Sequence, residues 1–264
     1  MNTIFIVGDK FTGFSENDNV ITISDFEKIM IKGNIESTCQ FYRIGQGVSY
    51  ERTSNIYKNT SHLNDCGIFV DDKSFDKSGR HLVHKHNSAN SMIGFPSKLS
   101  KFLYAADVHI DDRCSELDDH ITGQHISGMV LVEACRQMFL AVTELFYLNE
   151  FDNNFYFVIK RNSVEYKKFV FPIDVHINYE VLDYKVIKSG VLSFNVSMDV
   201  VQCDEVCATV CYEFVVYDEL LILNKEAVKA KEIIKSLLIQ RRLESDEVNE
   251  FGASSVAEKD QEYA

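Results

Sequence analysis

The stretch from Ile126 to about Leu148 most constrains how this chain can fold. It is almost continuously apolar and carries few charged residues besides Glu133, Arg136 and Glu144. An apolar run of this kind predicts a helix that is buried on nearly every side. Because burying an unpaired carboxylate is costly, Glu133 is expected either to be ion-paired or to serve the function.

Composition and charge narrow the class of protein. The 264 residues are 45% hydrophobic and 12% aromatic, enough for a sizeable core in one large or two unequal domains. A formal net charge of −13 argues against a nucleic-acid-binding surface, which needs clustered Lys and Arg. Seven cysteines without an export signal indicate reduced thiols in the cytoplasm. No apolar stretch reaches about 18 residues, so no membrane span and no membrane partner are expected.

The order of residues at the start of the run resembles that of a known family. His125-Ile-Ser-Gly-Met-Val-Leu-Val-Glu-Ala-Cys-Arg-Gln137 resembles the Asp-His-x-x-Gly-Met-Leu-Leu-Glu-Ala-x-Arg-Gln signature of the A-factor biosynthesis (AfsA-type) hotdog proteins. Val83-His84-Lys85 is similar to the Val-His-Lys element that precedes the first strand of these domains. The resemblance covers roughly 81–218 and is specific over 125–137.

A second family is more distantly similar. His120-x-x-Gly123, followed by Gly128 and Glu133-Ala134, resembles the histidine and glutamate pattern of the 3-hydroxyacyl-carrier-protein dehydratases. The spacing from His120 to Glu133 is one residue short of that pattern, and its prolines are missing. The AfsA-type proteins are therefore the nearer relatives.

Long strands are predicted after the apolar run. Segments 173–187, 191–202 and 206–217 are rich in Val, Ile, Tyr, Phe and Thr, and tight turns at 188–190 and 203–205 would join them. A long buried helix followed by an antiparallel meander is what a sheet wrapped around a helix requires. Pattern and resemblance together predict an α+β hotdog fold with a small N-terminal α/β region and a C-terminal helix.

Four parts are expected along the chain. They are a small α/β region of unassigned role (1–78), the hotdog domain (79–220), an amphipathic helix (221–243) and an acidic disordered tail (244–264). The polar segment from Asp71 to Gly79 marks the first boundary. In the first part, Ser24 followed by Glu27 predicts a helix-capping box, and Gly45-Gln46-Gly47 predicts a simple turn rather than a phosphate loop.

The start of the predicted helix carries the candidate substrate-binding groups. Backbone N–H groups in the first turn of a helix lack internal partners and carry partial positive charge. Those of Ser127, Gly128 and Met129 could polarise a thioester carbonyl and stabilise the oxyanion formed when it is attacked. Gly128 allows a substrate to approach closely. His84 and Lys85 join them as substrate-binding candidates on the resemblance.

Glu133 is the first catalytic candidate, about one and a half turns into the helix. It could take a proton from a hydroxyl or a water if burial raises its pKa toward neutrality. Arg136 could hold it ionised or bind a phosphate of the acyl acceptor, and Gln137 could orient it. The alternative is an internal ion pair between Glu133 and Arg136 that braces a buried helix.

Histidines are the remaining catalytic candidates. His125, just before the helix, could relay a proton or position the acyl chain, although a structural role is equally open. His120 takes the catalytic place of the dehydratase pattern only if the loop absorbs the missing residue. The cluster His81, His84 and His86 does not predict a metal site, because no acid or cysteine completes a tetrahedron. No metal and no cofactor are expected.

The resemblance implies an activity and its partners. AfsA-type proteins move a β-ketoacyl group from acyl carrier protein to the hydroxyl of a three-carbon phosphate such as dihydroxyacetone phosphate. An acyl-carrier-protein or coenzyme A thioester is therefore the expected substrate. A dehydratase, a thioesterase and a non-catalytic acyl-binding sensor or scaffold are the alternatives. Because the signature occurs once, where family members usually carry two hotdog repeats, a homodimer is expected.

Overall fold

The computed structural model describes residues 2–32, 40–60, 68–70, 78–79, 81–118, 123–150, 154–188 and 190–259. Its strands are β1 (Asn2–Val7), β2 (Val20–Thr22), β3 (Gln40–Ile44), β4 (Ile68–Val70), β5 (Ser97–Lys98), β6 (Leu103–Asp107), β7 (Phe155–Tyr166), β8 (His176–Lys188), β9 (Val191–Gln202) and β10 (Glu205–Asp218). Its α-helices are α1 (Ile23–Lys32), α2 (Tyr50–Thr60), α3 (Ser115–Asp118), α4 (Gly128–Tyr147) and α5 (Glu219–Lys259).

The N-terminal region is a small parallel α/β layer. Its sheet has the order β2-β1-β3-β4, and the pairs β1–β2, β1–β3 and β3–β4 are all parallel. Apolar side chains from the strands and from α1 and α2 form its core, namely Ile6, Ile23, Phe26, Tyr42, Ile44, Val48 and Ile56. The predicted α/β character of this region agrees with this arrangement.

Helix α1 is capped earlier than predicted. Thr22 Oγ1 accepts a hydrogen bond from the Asp25 N–H at 3.2 Å and donates to the Asp25 carboxylate at 3.0 Å. Ser24 and Glu27 do not form the predicted capping box, because both side chains are bonded to the Arg52 guanidinium, at 3.0 and 2.7 Å. The capping box was predicted at the wrong residues because the sequence does not show that Ser24 and Glu27 bind Arg52.

The main sheet has six strands in the order β5-β6-β8-β9-β10-β7. The pairs β5–β6, β6–β8 and β8–β9 are antiparallel. The turn between β9 and β10 has Cys203 and Asp204 at φ 51° and 60°, the positive values that a type I′ hairpin turn requires. The meander predicted from the sequence is therefore present, with its strand ends within a few residues of those expected.

Helix α4 packs on this sheet through large aromatic side chains. Phe139 stacks on Phe214 with ring centroids 4.5 Å apart, and Tyr147 meets Phe194 edge-on at 5.2 Å. The Tyr212 hydroxyl donates to a backbone carbonyl of the helix at 3.3 Å. Most of α4 is buried. The predicted α+β hotdog fold, a long helix against an antiparallel sheet, is confirmed.

Gln46 connects the N-terminal layer to the part of the chain that forms the hotdog fold. Its side-chain amide donates to the carbonyls of Val108 and Ile173 at 2.8 and 3.2 Å and accepts from the Ile110 N–H at 2.8 Å. The Gly47 N–H also donates to Ile110. The expected boundary at residue 78 accordingly falls inside one compact unit, which comprises Met1–Asp152 and Phe157–Val215.

A second unit comprises Asn153–Tyr156 and Val216–Ala264 and contains α5. The helix runs to Lys259, whereas a helix ending at residue 243 and a disordered tail from residue 244 were expected. The segment beyond 243 contains Gly252 but no proline, and its glutamates and alanines favour a helix. None of the described helices combines the length and the apolar character that crossing a membrane requires.

Candidate functional site

A cavity of about 1070 Å³ lies at the N-terminus of α4. Cavities of this size accommodate small-molecule ligands and cofactors. Its walls come from α3, from the first turn of α4 and from the end of β7 with the loop that follows. The lining residues are Ser115, Glu116, His125, Ile126, Ser127, Gly128, Met129, Leu131, Tyr166, Lys167, Lys168, Phe169 and Val170.

Hydrogen-bond donors at the start of α4 line this cavity. The N–H groups of Val130 and Leu131 donate to the Ser127 carbonyl at 3.1 and 3.3 Å, so those of Gly128 and Met129 precede the first bond of the helix. The Ser127 side chain does not cap the helix. Although this residue is only 7% exposed, its hydroxyl makes no hydrogen bond to any residue that the structure describes. An oxygen atom in the cavity could therefore accept from all three groups.

Apolar side chains form the rim of the cavity. Met129, Phe169 and Tyr166 are 70%, 67% and 54% exposed. The rim segment is held against the helix start by the Ile126 N–H, which donates to the carbonyl of Val170 at 2.8 Å. Such an exposed apolar rim around a polar floor suits a ligand with a long apolar chain and one polar carbonyl.

Gly128 is where the rim comes closest to the helix. A Cβ atom at this position would lie 2.7 Å from the Tyr166 ring and 2.8 Å from its hydroxyl oxygen. A glycine is therefore needed for Tyr166 to rest on the first turn of α4. His125 lies on the same side, with its ring centroid 4.7 Å from that of Phe169.

Two lysines belong to the cavity wall. Lys167 Nζ is 3.0 Å from the Thr209 hydroxyl, and Lys168 Nζ is 2.6 Å from a Glu205 carboxylate oxygen. Both side chains are at least one-third exposed, so water screens these contacts. Lys167 Nζ also lies 3.5 Å from a Glu165 carboxylate oxygen, so a phosphate that approached either lysine would compete with a carboxylate at the surface.

Glu133 lies at the centre of an ion-pair network instead of lining the cavity. Arg136 holds both of its carboxylate oxygens, with Nε to Oε2 at 2.7 Å and Nη2 to Oε1 at 2.9 Å. Gln137 donates to Oε1 at 3.0 Å, and Lys85 Nζ lies 2.9 Å from the same oxygen. Lys85 also reaches the Glu116 carboxylate at 2.7 Å. Both oxygens of this largely buried carboxylate, 16% exposed, are thus occupied by donors.

A general base here would need a pKa raised toward neutrality, but the pKa of Glu133 is lowered. Burial alone would raise the pKa, but the hydrogen bonds from Arg136, Gln137 and Lys85, together with the charge of Arg136, outweigh burial and lower the pKa. The condition for Glu133 to act as a general base, a pKa raised toward neutrality by burial, is therefore not met. The physical reason is that two cations and an amide replace the lost water around the ion.

Glu116 connects the network with the cavity and was not singled out in the sequence. Burial would raise its pKa, but hydrogen bonds from Lys85, Cys114 and Ser115 outweigh burial and lower the pKa to about 2. Its other oxygen accepts from the Cys114 thiol at 3.2 Å, while burial raises the pKa of Cys114 to about 11. Glu116 is an anion in the short helix α3, whose sequence has no recognisable motif, so its place in the site is known only from the fold.

The structure separates the predicted site residues into three groups. His125, Ser127, Gly128 and Met129 line the cavity, while Lys85, Glu133, Arg136 and Gln137 form the adjoining network. His84 lies in neither group, because its Nε2 is 2.6 Å from the Glu144 carboxylate. His120 lies outside the described residues. Among those described, no group of three His, Cys, Asp or Glu side chains is placed to hold a metal ion.

Sequence reasoning missed the rim of the cavity. Tyr166, Phe169 and Val170 lie about 40 residues beyond the start of α4 and carry no pattern that distinguishes them from other strand ends. In the sequence, only Gly128 indicated that something approaches the start of α4 closely. That signal did not say which segment approaches.

The chain was compared with solved structures, and the similarities found are low. A thioesterase of Pseudomonas aeruginosa is 11% identical, with 60% of this chain and 92% of that chain covered and a TM-score of 0.35. A protein of Streptococcus pneumoniae described as a hypothetical thioesterase, in a structure with coenzyme A, is 14% identical, with coverages of 50% and 90% and a TM-score of 0.35. A hot-dog-like protein of Thermanaerovibrio acidaminovorans is 19% identical, with coverages of 43% and 78% and a TM-score of 0.33.

The family comparison is more specific. No curated protein matches the chain in sequence. The model of the A-factor biosynthesis hotdog domain matches residues 71–218, a range that contains α4, the whole main sheet and every described residue of the cavity and the network. By this match over more than half its length, the chain belongs to the AfsA family of A-factor biosynthesis hotdog proteins.

Proposed function

We propose that this protein transfers an acyl group, of the β-ketoacyl type, from an acyl-carrier-protein or coenzyme A thioester to the hydroxyl of an acceptor such as a triose phosphate. The observation that carries the proposal is the polar floor of the cavity. There Ser127, Gly128 and Met129 line the cavity, and the N–H groups of Gly128 and Met129 precede the first hydrogen bond of α4. The family membership supports the same chemistry.

The thioester carbonyl binds at the start of α4 in this proposal. The acceptor oxygen attacks the carbonyl carbon, and negative charge moves to the carbonyl oxygen. Ser127, Gly128 and Met129 donate hydrogen bonds to that oxyanion, and the positive end of the helix dipole stabilises it further. When the carbon–sulfur bond breaks, the oxyanion collapses to an ester and the thiol leaves.

His125 is the residue we assign to proton transfer. It lines the cavity next to the proposed oxyanion donors, whereas Glu133 does not. Its imidazole takes the hydroxyl proton of the acceptor as the new bond forms and returns a proton to the departing sulfur. An imidazole can perform both steps near neutral pH.

Glu133 acts as a positioning residue in this scheme. With its oxygens bonded to Arg136, Gln137 and Lys85, it fixes the second turn of α4 and keeps two cations in place. Arg136 holds Glu133 through Nε and Nη2 and does not line the cavity, so we do not assign it a substrate phosphate. Lys167 and Lys168 are better placed for that role, because both line the cavity and are partly exposed.

A homodimer completes the proposal. Strand β7 is an edge of the main sheet, and its residues 157–166 are all at least partly exposed. An edge of this length offers unpaired backbone groups to another chain. Pairing of two copies through β7 would place the second copy beside Tyr166 and thus beside the cavity rim.

The test is a thiol-release assay with β-ketoacyl-coenzyme A and β-ketoacyl carrier protein, each with and without dihydroxyacetone phosphate. Transfer predicts thiol release that needs the acceptor. Ser127→Ala should lower kcat by about 10- to 100-fold, since one oxyanion donor is lost. Ser115→Ala is the matched control, because Ser115 lines the same cavity but its hydroxyl already donates to Glu116 at 3.0 Å.

Other outcomes of this assay would replace the proposal. Thiol release to water alone indicates a thioesterase, and loss of water from a 3-hydroxyacyl thioester indicates a dehydratase. Binding without turnover indicates a non-catalytic acyl-binding protein. The observation that favours this last candidate is Glu133, whose oxygens are all occupied and whose pKa is lowered, as in an internal brace.

A further inference from the structure

Helix α5 carries an apolar seam that is exposed along its length. Apolar residues recur at alternating spacings of three and four, which is the heptad pattern of a coiled coil. The seam residues Leu220, Leu223, Ile234 and Leu237 are 71%, 46%, 58% and 54% exposed. Two exposed small residues, Ala227 and Ala230, complete the a and d positions. The seam spans roughly 27 Å at the rise of an α-helix.

Among the described residues of the second compact unit, the seam side chains keep about half or more of their surface exposed. Apart from α5, the described residues of that unit are 154–156 and 216–218. The opposite face carries Lys225, Lys229 and Glu232, interspersed with the exposed apolar residues Leu221, Val228 and Ile239. The seam is the part of the helix surface where apolar residues follow one another without interruption from 220 to 237. Contiguous apolar surface of this kind marks an interaction site.

We infer that α5 pairs with α5 of a second copy of this chain as a parallel, in-register coiled coil. The argument for this partner is charge complementarity at the positions that flank the seam. Glu226 occupies a g position and Lys231 the following e position. In a parallel pair, g of one helix meets the next e of the other, so Glu226 meets Lys231 of the second copy twice by symmetry.

The same positions exclude the antiparallel arrangement. An antiparallel pair brings g to g and e to e. The g positions are Glu226, Ile233 and Gln240, and the e positions are Asn224, Lys231 and Leu238. No pairing of two g positions or of two e positions joins opposite charges, and Glu226 with Glu226 or Lys231 with Lys231 would join like charges.

The next flanking pair is apolar and strengthens the seam. Ile233 and Leu238 are 62% and 59% exposed and would meet across the parallel pair at the g and e positions. Small Ala227 and Ala230 allow close approach of the two backbones beside the Glu226–Lys231 pairs. The seam ends at Arg241, an exposed charged residue at the next a position. Glu226 also accepts a hydrogen bond from the Tyr156 hydroxyl at 3.1 Å, on the unit to which both belong.

Disulfide trapping of the full chain tests the arrangement. Ala227→Cys and Leu237→Cys, made singly, should each form a disulfide between identical positions, identified by peptide mass spectrometry. The two positions are about 15 Å apart along the helix, so an antiparallel pair cannot link both to themselves. Lys229→Cys, on the polar face, is the control and should not link. Failure of either seam position to link in protein of native helix content overturns the inference.

Charge reversal tests the recognition. Glu226→Lys or Lys231→Glu alone places like charges together, and the trapping rate at position 227 should fall roughly two- to tenfold. The double reversal restores the opposite pairing and should restore the rate. Equal rates in all four proteins would overturn the charge argument. Binding of the wild-type helix to phosphatidylserine vesicles with no trapped pair would identify a membrane surface instead and would also overturn the inference. None of these results depends on acyl transfer.

Discussion

Buried polar side chains in this protein hold backbone segments in place. Gln46, Gln137 and Gln202 are 3%, 0% and 6% exposed. Each amide donates to backbone carbonyls and accepts from a backbone N–H, as Gln137 does with the Asn90 carbonyl and the Met92 N–H, both at 2.8 Å. A glutamine can serve both kinds of partner at once. Glu133 belongs to the same class of residue, with cations as its main partners.

Glu133→Gln should destabilise the protein at neutral pH. The change leaves the half-buried cations Lys85 and Arg136 without their shared anion, so we expect the free energy of unfolding to fall by about 2–4 kcal/mol. Urea denaturation measures the change. Glu51→Gln, at a side chain that is 74% exposed, is the control and should change stability little.

The effect of Glu133→Gln should depend on pH with a definite sign. Because the folded-state pKa of Glu133 is lowered from its ordinary value of 4.5, its contribution is present above that value and is lost as pH falls through the folded pKa. The stability difference between wild type and variant should therefore narrow below pH about 4. A difference that is constant from pH 7 to pH 3 would contradict an ionised, paired carboxylate.

The first turn of α4 and the end of β7 act together as elements. Their contact depends on Gly128, where a Cβ would meet the Tyr166 ring at 2.7 Å. Since the clashing atoms are the far end of a ring that is 54% exposed, the ring can move while the helix stays. The position of Tyr166 at the cavity rim thus depends on residue 128 having no Cβ atom.

Gly128→Ala should displace Tyr166 without unfolding the protein. We expect the free energy of unfolding to change by less than about 1 kcal/mol, and a crystal structure of the variant to show the ring turned away from α4. In a Tyr166→Ala background, the same change should stabilise by about 0.5–1 kcal/mol, the ordinary preference of a helix for alanine. An unmoved ring or a loss of several kcal/mol would contradict this account.

Elements with strong alternation could be predicted from the sequence, and weakly patterned ones could not. The long strands β8, β9 and β10 and the buried helix α4 were found because apolar periodicity marks them along their length. Helix α2 was missed, since its sequence Tyr-Glu-Arg-Thr-Ser-Asn-Ile-Tyr-Lys-Asn-Thr favours turns and its buried face consists of Thr53, Ile56 and Thr60. Burial of this face overrides that preference, helped by a local cap in which the Ser49 hydroxyl accepts from the Arg52 N–H at 3.3 Å.

At the scale of the whole molecule, the N-terminal layer and the hotdog residues share one compact unit. The turn Gly45-Gln46-Gly47 makes the connection, and its backbone and side-chain donors reach the hotdog residues. The sequence identified the turn but not its partners, because they lie 62 to 127 residues away along the chain. The same holds for the cavity, whose donors were predicted and whose rim was not.

Gln46→Leu should weaken the joint between these two parts. The change removes hydrogen bonds to the Val108 and Ile173 carbonyls and from the Ile110 N–H, all in a buried place. We expect a loss of about 2–4 kcal/mol in the free energy of unfolding, from the cost of leaving those backbone groups unpaired. Gln124→Leu, at an exposed position, is the control. If urea denaturation shows that the two variants are equally stable, the contact between the N-terminal layer and the hotdog domain does not depend on Gln46.

The two borders of the main sheet differ greatly in length. One is β5, only two residues long, and the other is β7, with twelve. A pair of copies joined along β7 would present only the short border at either end, which gives a third copy almost no backbone to add to. Edge-to-edge pairing of main sheets would therefore stop at two molecules, even though β7 is a long edge strand in each chain.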